Sequence, residues 1–298
     1  MDTILMRSLM FVPAHNKRLM DSAGRSDADV LLLDLEDSVQ PNHNKQIARN
    51  QIIEYVAGGA FNGKAIYPRV NDRESGELLK DVHQLTIEGI DGFTYPKATK
   101  GEDIYFFGKL LETIEYEKGY PIGTFKIIPL IETAGAVLNI QDICNACDRV
   151  TAVAFGCEDY ITDLQGVHDE LGSSIFTARS TIAMGARACG VIPIDTVHIK
   201  VHDLEDLERN IILAKKLGFE GMLVLNPKEI PLVHEYYSPS VEEVEWASDM
   251  IALAVEAESE GKGVAVKNGK FIGPPMVKMA KNILEKEQLI SQNIKLHE

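Results

Sequence analysis

The chain has 298 residues, 45% hydrophobic and 25% charged, an ordinary globular balance with ample material for one large core. Its formal net charge of −15 argues against a general nucleic-acid surface, which needs a basic excess, while leaving room for a local basic pocket that takes an anion. Four cysteines are too few for a disulfide framework, no apolar run approaches the ~18–20 residues of a membrane span, and no apolar leader precedes Arg7, so a reduced cytoplasm is the expected address.

Taken in order, short β-rich runs alternate with longer amphipathic stretches. Strands are expected at 7–13, 30–37, 64–70, 92–97, 125–132, 149–156, 195–199 and 221–227, with helical patterns such as 102–118, 135–147 and 203–217 between them. In the last of these Leu204, Leu207, Ile211 and Ala214 share one face, acids fill the first turn, and Gly218 follows as a C-cap. Nearly continuous apolar strands are buried on both faces, and helical crossovers between them imply a parallel sheet. Eight in succession predict an α/β fold, a closed (β/α)8 TIM-like barrel over 1–236, with a C-terminal helical and lid extension over 237–298. In that extension the helices expected at about 240–260 and 275–290 flank a glycine-rich break. Cys144 and Cys147 form C-N-A-C, but with no second pair and helix-like surroundings a zinc or redox role is disfavoured. There is no G-x-G-x-x-G, no G-x-x-x-x-G-K-[ST] and no G-x-S-x-G, so dinucleotide, P-loop and serine-hydrolase readings lose their main support.

Such barrels build their chemistry at the C-terminal ends of the strands, where the unusual residues of this chain gather. Strand one ends in Pro13-Ala14-His15-Asn16-Lys17-Arg18, strand two in Asp34-Leu35-Glu36-Asp37, strand three in Arg69 and Asn71, strand four in Lys97, strand five in Glu132, strand six in Glu158-Asp159 and strand eight in Asn226. A buried acid costs several kcal/mol unless it is paired or bound to a metal. Acids and bases converging on one rim suggest a divalent-metal site with an anion clamp, and oxygen-only ligands select a hard cation such as Mg²⁺. Glu132 and Asp159, on adjacent strands, are the preferred ligands; Glu36 and Asp37 would hold metal-bound waters or a substrate hydroxyl. The plainer readings are a helix cap at Asp37, a buried ion pair in which Arg69 merely neutralises the acids, and structural roles for His15 and His198.

The segments R-S-L-M-F-V-P-A, L-D-L-E-D-S-V, P-R-V-N, P-K, I-P-L-I-E-T-A-G-A-V, F-G-C-E-D-Y and L-V-L-N-P resemble the citrate lyase β-subunit family, within the HpcH/HpaI-like aldolases that include malyl-CoA and citramalyl-CoA lyases. The similarity runs from Arg7 to about Pro275. It implies a Mg²⁺-dependent carbon–carbon lyase acting on a 3-hydroxyacyl thioester such as citramalyl-, malyl- or citryl-CoA. On this resemblance Glu132 and Asp159 match metal ligands, Arg69, Glu36 and Asp37 catalytic groups, and Pro13, Ala14, His15, Lys17, Arg18, Arg69 and Glu158 groups that bind the substrate or its coenzyme arm. The general base stays open between Asp37, a metal-bound water and an acid from a neighbouring subunit. The expected partners are a small acyl-CoA or acyl-carrier thioester and further copies of the chain, as a homotrimer or homohexamer, with no nucleic acid and no membrane. One departure stands out: Gly269-Lys270-Phe271-Ile272-Gly273 has glycine where many relatives carry a lid aspartate. The alternatives are the β-subunit of a carrier-dependent citrate lyase complex, a non-catalytic barrel subunit, and a free-acid aldolase, which Asp37 after Glu36 disfavours.

Overall fold

The computed structural model describes residues 4–169, 172–259, 265–267 and 270–297. It opens with β1 (Ser8–Pro13), α1 (Lys17–Gly24), β2 (Val30–Asp34), α2 (His43–Ala57), β3 (Ala65–Ile66) and α3 (Leu78–Leu85). There follow β4 (Gly92–Tyr95), α4 (Gly101–Lys118), β5 (Lys126–Ile131), α5 (Ala134–Leu138), α6 (Ile140–Cys144) and β6 (Ala152–Phe155). Then come α7 (Cys157–Leu164), α8 (Ser173–Ala188), β7 (Ile192–Asp195), α9 (Leu204–Leu217), β8 (Gly221–Val224) and α10 (Ile230–Tyr237). The eight strands form one sheet in the order β3-β2-β1-β8-β7-β6-β5-β4, and every recorded pairing is parallel. Leu31, Leu32, Leu33, Ile127, Ile128, Val153 and Ala154 are fully buried, as expected of strands covered by helices on one face and packed across a barrel on the other.

The ring closes at the seam between β3 and β4. Pro68 has no N–H to give, so the regular part of β3 is short, yet the chain resumes pairing at once: Arg69 N donates to Leu33 O at 2.9 Å and Leu35 N to Arg69 O at 3.0 Å. On the other side Thr94 N donates to Pro68 O at 2.9 Å and Val70 N to Thr94 O at 3.2 Å. Arg69 is therefore the residue bridging β2 to β4. The fold is the (β/α)8 TIM-like barrel that the alternating pattern predicts, nearly closed, with C-terminal helices.

Three local readings are corrected. The seventh strand lies at Ile192–Asp195, not 195–199. Pro193 argues against a strand in the sequence, but the position needs only its carbonyl, which accepts from Glu220 N at 3.0 Å. The stretch 135–147 is two short helices, because Asn139 leaves helical geometry and donates its side-chain amide to Thr99 O at 2.9 Å. Glu158 and Asp159 sit not at a strand end but in the first turn of α7, where acids favour the helix N-terminus. Gly218 does cap α9, with φ at +103°.

The chain divides into two compact units, Met6–His234 and Met1–Leu5 with Glu235–Glu298. In the second, α11 (Val241–Ser259) and α12 (Pro274–His297) share a small core of Ala247, Met250 and Ala280, and β9 (Ala265–Lys267) pairs antiparallel with β10 (Lys270–Ile272). Gly273 is buried just before α12, its carbonyl accepting from Met276 N at 3.0 Å, while Gly269 lies outside the described residues. Among the described residues no helix is long and apolar enough to cross a membrane.

Candidate active site

The turn after β2 folds around Asp34. Its carboxylate accepts from Glu36 N at 2.9 Å, from Ser38 N at 3.1 Å and from the Ser38 hydroxyl. It also takes the Arg69 guanidinium in a two-point grip, Nε at 2.7 Å and Nη2 at 2.8 Å. Burial by itself would raise the pKa of Asp34, but the Arg69 charge and these hydrogen bonds outweigh it and hold the carboxyl below its usual range. Arg69 lies over the Phe11 ring at 4.9 Å, which fixes the guanidinium plane further.

With Nε and Nη2 committed, Arg69 presents Nη1 to the acids beyond the strand end, 3.1 Å from Glu36 Oε2 and 3.4 Å from Asp37 Oδ2. Glu36 is buried, whereas the Asp37 side chain is 55% exposed at the mouth. Neither Glu36 oxygen has a partner at hydrogen-bonding geometry; ion pairs alone hold them, from Arg69 and from Lys97 Nζ at 2.8 Å. Burial, the largest influence, pushes the Glu36 carboxyl up to about 7 against the pull of both cations.

Glu132 follows β5 directly and is buried. One oxygen accepts the main-chain N–H of Lys97. Burial first, then repulsion from Glu36 and Asp159, pushes its carboxyl up to about 8. The packing requires glycine opposite: a Cβ at Gly156 would stand 2.9 Å from both Cβ and Oε2 of Glu132. Asp159, exposed on α7, acts on Glu132 through space, while the neighbouring Glu158 pairs with His168 Nε2 at 3.0 Å.

Arg69, Glu36, Asp37 and Glu132 thus form one electrostatic cluster with Asp159. The Pro13–Arg18 segment lies between β1 and the first turn of α1: Ala14 is buried, Lys17 and Arg18 are exposed, and the buried Nδ1 of His15 has no hydrogen-bond partner. Asn71 and Asn226 are framework. Asn71 donates to Asp81 Oδ2 from its main chain at 2.8 Å and its side chain at 2.7 Å, and Asn226 caps a short 3-10 turn by accepting from Lys228 N at 3.0 Å. His198 pairs with Asp206 at 3.0 Å, a structural role. Asp37 is no helix cap, since α2 begins six residues later at His43. The sequence pattern places both Asp34 and Lys97 at the rim without a role; the part of Asp34 depends on the register between β2 and β3.

Among the described residues no three His, Cys, Asp or Glu side chains are grouped closely enough to hold a metal by themselves. Magnesium does not need such a cage, because it takes one or two carboxylates and keeps water or substrate oxygens elsewhere. Glu132, buried and repelled by both Glu36 and the exposed Asp159, belongs to a donor set that a hard divalent cation would neutralise, so the residues fit one.

Eight parallel strands with an arginine and a surplus of acids at their C-terminal ends define an enzyme of the (β/α)8 class. Residues 7–227 match the HpcH/HpaI aldolase/citrate lyase family, and the chain belongs to it. It is 32% identical over 281 residues to the citrate lyase subunit beta of Leuconostoc mesenteroides subsp. cremoris, covering 94% of this chain and 93% of that protein. It is 29% identical over 287 residues to human mitochondrial citramalyl-CoA lyase, covering 93% and 84%. The CitE structure from Mycobacterium tuberculosis in complex with magnesium, acetoacetate and coenzyme A superimposes with a TM-score of 0.73 at 26% identity, over 95% of this chain and 98% of that one. A citrate lyase structure from Burkholderia xenovorans LB400 shares the fold with a TM-score of 0.83 at 18% identity, over 96% and 93%. The protein is a lyase acting on carbon–carbon bonds.

Proposed function

We propose that the chain cleaves a 3-hydroxyacyl thioester of the citramalyl-, malyl- or citryl-CoA class into an acetyl thioester and a 2-oxo acid, with Mg²⁺ held by Glu132 and Asp159. The observation that carries this reading is the uncompensated acid at the mouth, where Glu132 is pushed up to about 8 and Glu36 to about 7 beside an immobilised arginine. Its support from outside the chain is the mycobacterial relative in complex with magnesium, acetoacetate and coenzyme A.

The divalent cation, when bound, supplies Lewis-acid stabilisation of the negative charge that develops on substrate oxygen. The chain's own groups divide the remaining tasks. Arg69, gripped by Asp34, offers Nη1 to the substrate carboxylate with its plane already set, so little ordering is left for the moment of binding. Asp37 accepts the hydroxyl proton, since of the two acids beside Nη1 it is the one a substrate reaches: its side chain is 55% exposed against 5% for Glu36. As that proton leaves, the carbon–carbon bond breaks, the hydroxyl carbon becomes the carbonyl of the 2-oxo acid, and the electron pair passes to the carbon beside the thioester, which then takes up a proton. Lys17 and Arg18, exposed at the start of α1, suit the phosphates of a coenzyme arm.

A second reading is a β-subunit that receives its acyl group on a carrier protein, favoured by the 32% identity to a citrate lyase subunit beta. The experiment is product analysis by mass spectrometry after incubation with Mg²⁺ and citramalyl-, malyl- or citryl-CoA, with Asp159→Ala as control. Acetyl-CoA and a 2-oxo acid, absent from the control, are expected. Intact thioesters throughout would remove the free-standing enzyme and leave the carrier-dependent one.

A further inference from the structure

Lys97 stands where the chain leaves β4, with φ at +53°, in the left-handed region that side-chain-bearing residues avoid. Such a conformation persists where the surroundings over-determine it, and it gathers at functional sites. Here two contacts do so. The main-chain N–H of Lys97 donates to Glu132 Oε1 at 2.5 Å. Its ammonium lies 2.8 Å from Glu36 Oε1 and 3.8 Å from both Asp37 Oδ1 and Asp72 Oδ2. One residue thus reaches an acid with each end.

Arg69 cannot substitute for it. Nε and Nη2 are spent on Asp34, which leaves Nη1 shared between Glu36 and Asp37. Arg69 comes nearest Glu36 at Oε2, and a carboxylate held from one side by a single cation can turn about its last bond. The second cation, 2.8 Å from Oε1, opposes that rotation from the other side. Lys97 differs from Arg69 in another respect: its side chain is 44% exposed, so it reaches into the mouth from the solvent side, whereas the guanidinium is buried beneath.

We propose that Lys97 is the positioning residue of this site: its main-chain N–H fixes Glu132, its ammonium sets the orientation of the Glu36 carboxylate, and the two acid groups are thereby registered against each other. The effect on turnover rests on the lyase reading above, while the structural half stands apart from it. Three variants change the ammonium end and leave the main-chain N–H in place. Lys97→Gly keeps the N–H, relieves the left-handed φ and removes the cation. Lys97→Met removes the cation alone, and Lys97→Arg keeps a cation with altered reach.

Lys97→Met and Lys97→Gly should both lower kcat by about 100-fold with KM within about threefold of the parent, and Lys97→Arg should recover about tenfold of the loss, because the fault is one of placement. Calorimetric titration with Mg²⁺ should give all three variants dissociation constants within about threefold of the parent, since each retains the N–H that holds Glu132. In EDTA-treated protein the melting-temperature changes of Lys97→Met and Glu36→Gln should be non-additive by about 2 °C. Parental kcat in Lys97→Met, or additive melting shifts, would overturn the proposal. Should the parent cleave no thioester, the lyase reading falls by itself, and the melting cycle still decides whether Lys97 positions Glu36.

Discussion

Two sets of buried charges in the barrel unit are built to opposite rules. In the helical layer Glu115 receives Arg149 Nη1 at 2.7 Å and Nη2 at 2.5 Å, with main-chain N–H groups of Gly123 and Phe125 at 3.0 and 3.1 Å. Burial pulls its pKa upward, yet these donors win and hold it below the usual range. Asp195, the last residue of β7, is likewise gripped at two points, by Arg179 Nε at 3.0 Å and Nη2 at 2.5 Å. At the mouth, Arg69 and Lys97 face Asp34, Glu36, Asp37, Asp72 and Glu132, and the carboxyls of Glu36 and Glu132 are pushed upward. A buried acid whose lone pairs are all answered is scaffold. One left in surplus marks a candidate functional site.

The contrast breaks most visibly at the matched pair. Arg149→Met leaves Glu115 buried and unanswered and should lower stability by about 3–5 kcal/mol in urea unfolding. A change under about 1 kcal/mol would mean that the pair is no better answered than a surface one. At the mouth the same kind of removal should act the other way. Glu132→Gln should weaken Mg²⁺ binding by at least about 100-fold, more than loss of a merely supporting group, while leaving the metal-free protein as stable as its parent or more so. Calorimetric titration and melting of EDTA-treated protein check the two halves, and a destabilised variant with normal metal binding would place Glu132 with the scaffold. Gly156→Ala comes next: the new Cβ, 2.9 Å from Glu132 Cβ and Oε2, must displace a buried side chain, at about 1–3 kcal/mol.

The same contrast explains what the sequence made legible. Glu36, Asp37 and Glu132 declare themselves because an acid at the end of an apolar run has no local reason to be there. Asp34 stands in a run of the same kind, but its part is set by Arg69, 35 residues on, through the β2–β3 register, which no local pattern encodes. The left-handed turn at Lys97 is equally hidden, since lysine carries none of the turn signals of glycine or asparagine. Propensity weighs Val197 and Ile199 above a proline, which shifts the expected seventh strand past the real β7. The barrel asked that position only for an acceptor.

The most specific effect is in pH. In metal-free protein the Glu132 carboxyl keeps its proton up to about 8, whereas in the unfolded chain it loses it near 4.5, so across that window the folded state holds more protons than the unfolded one. Stability therefore falls as pH rises between those values. Asp34 works with the opposite sign: held below 3.8, it favours the folded state above that value, and its contribution is lost only on acidification. Urea unfolding of EDTA-treated protein at a series of pH values should show the decline for the parent and a flatter profile for Glu132→Gln, with the two profiles parallel below about pH 4.5. Identical slopes above it would mean that the surplus acid is already answered within the chain, and that the mouth is built by the same rule as the helical layer.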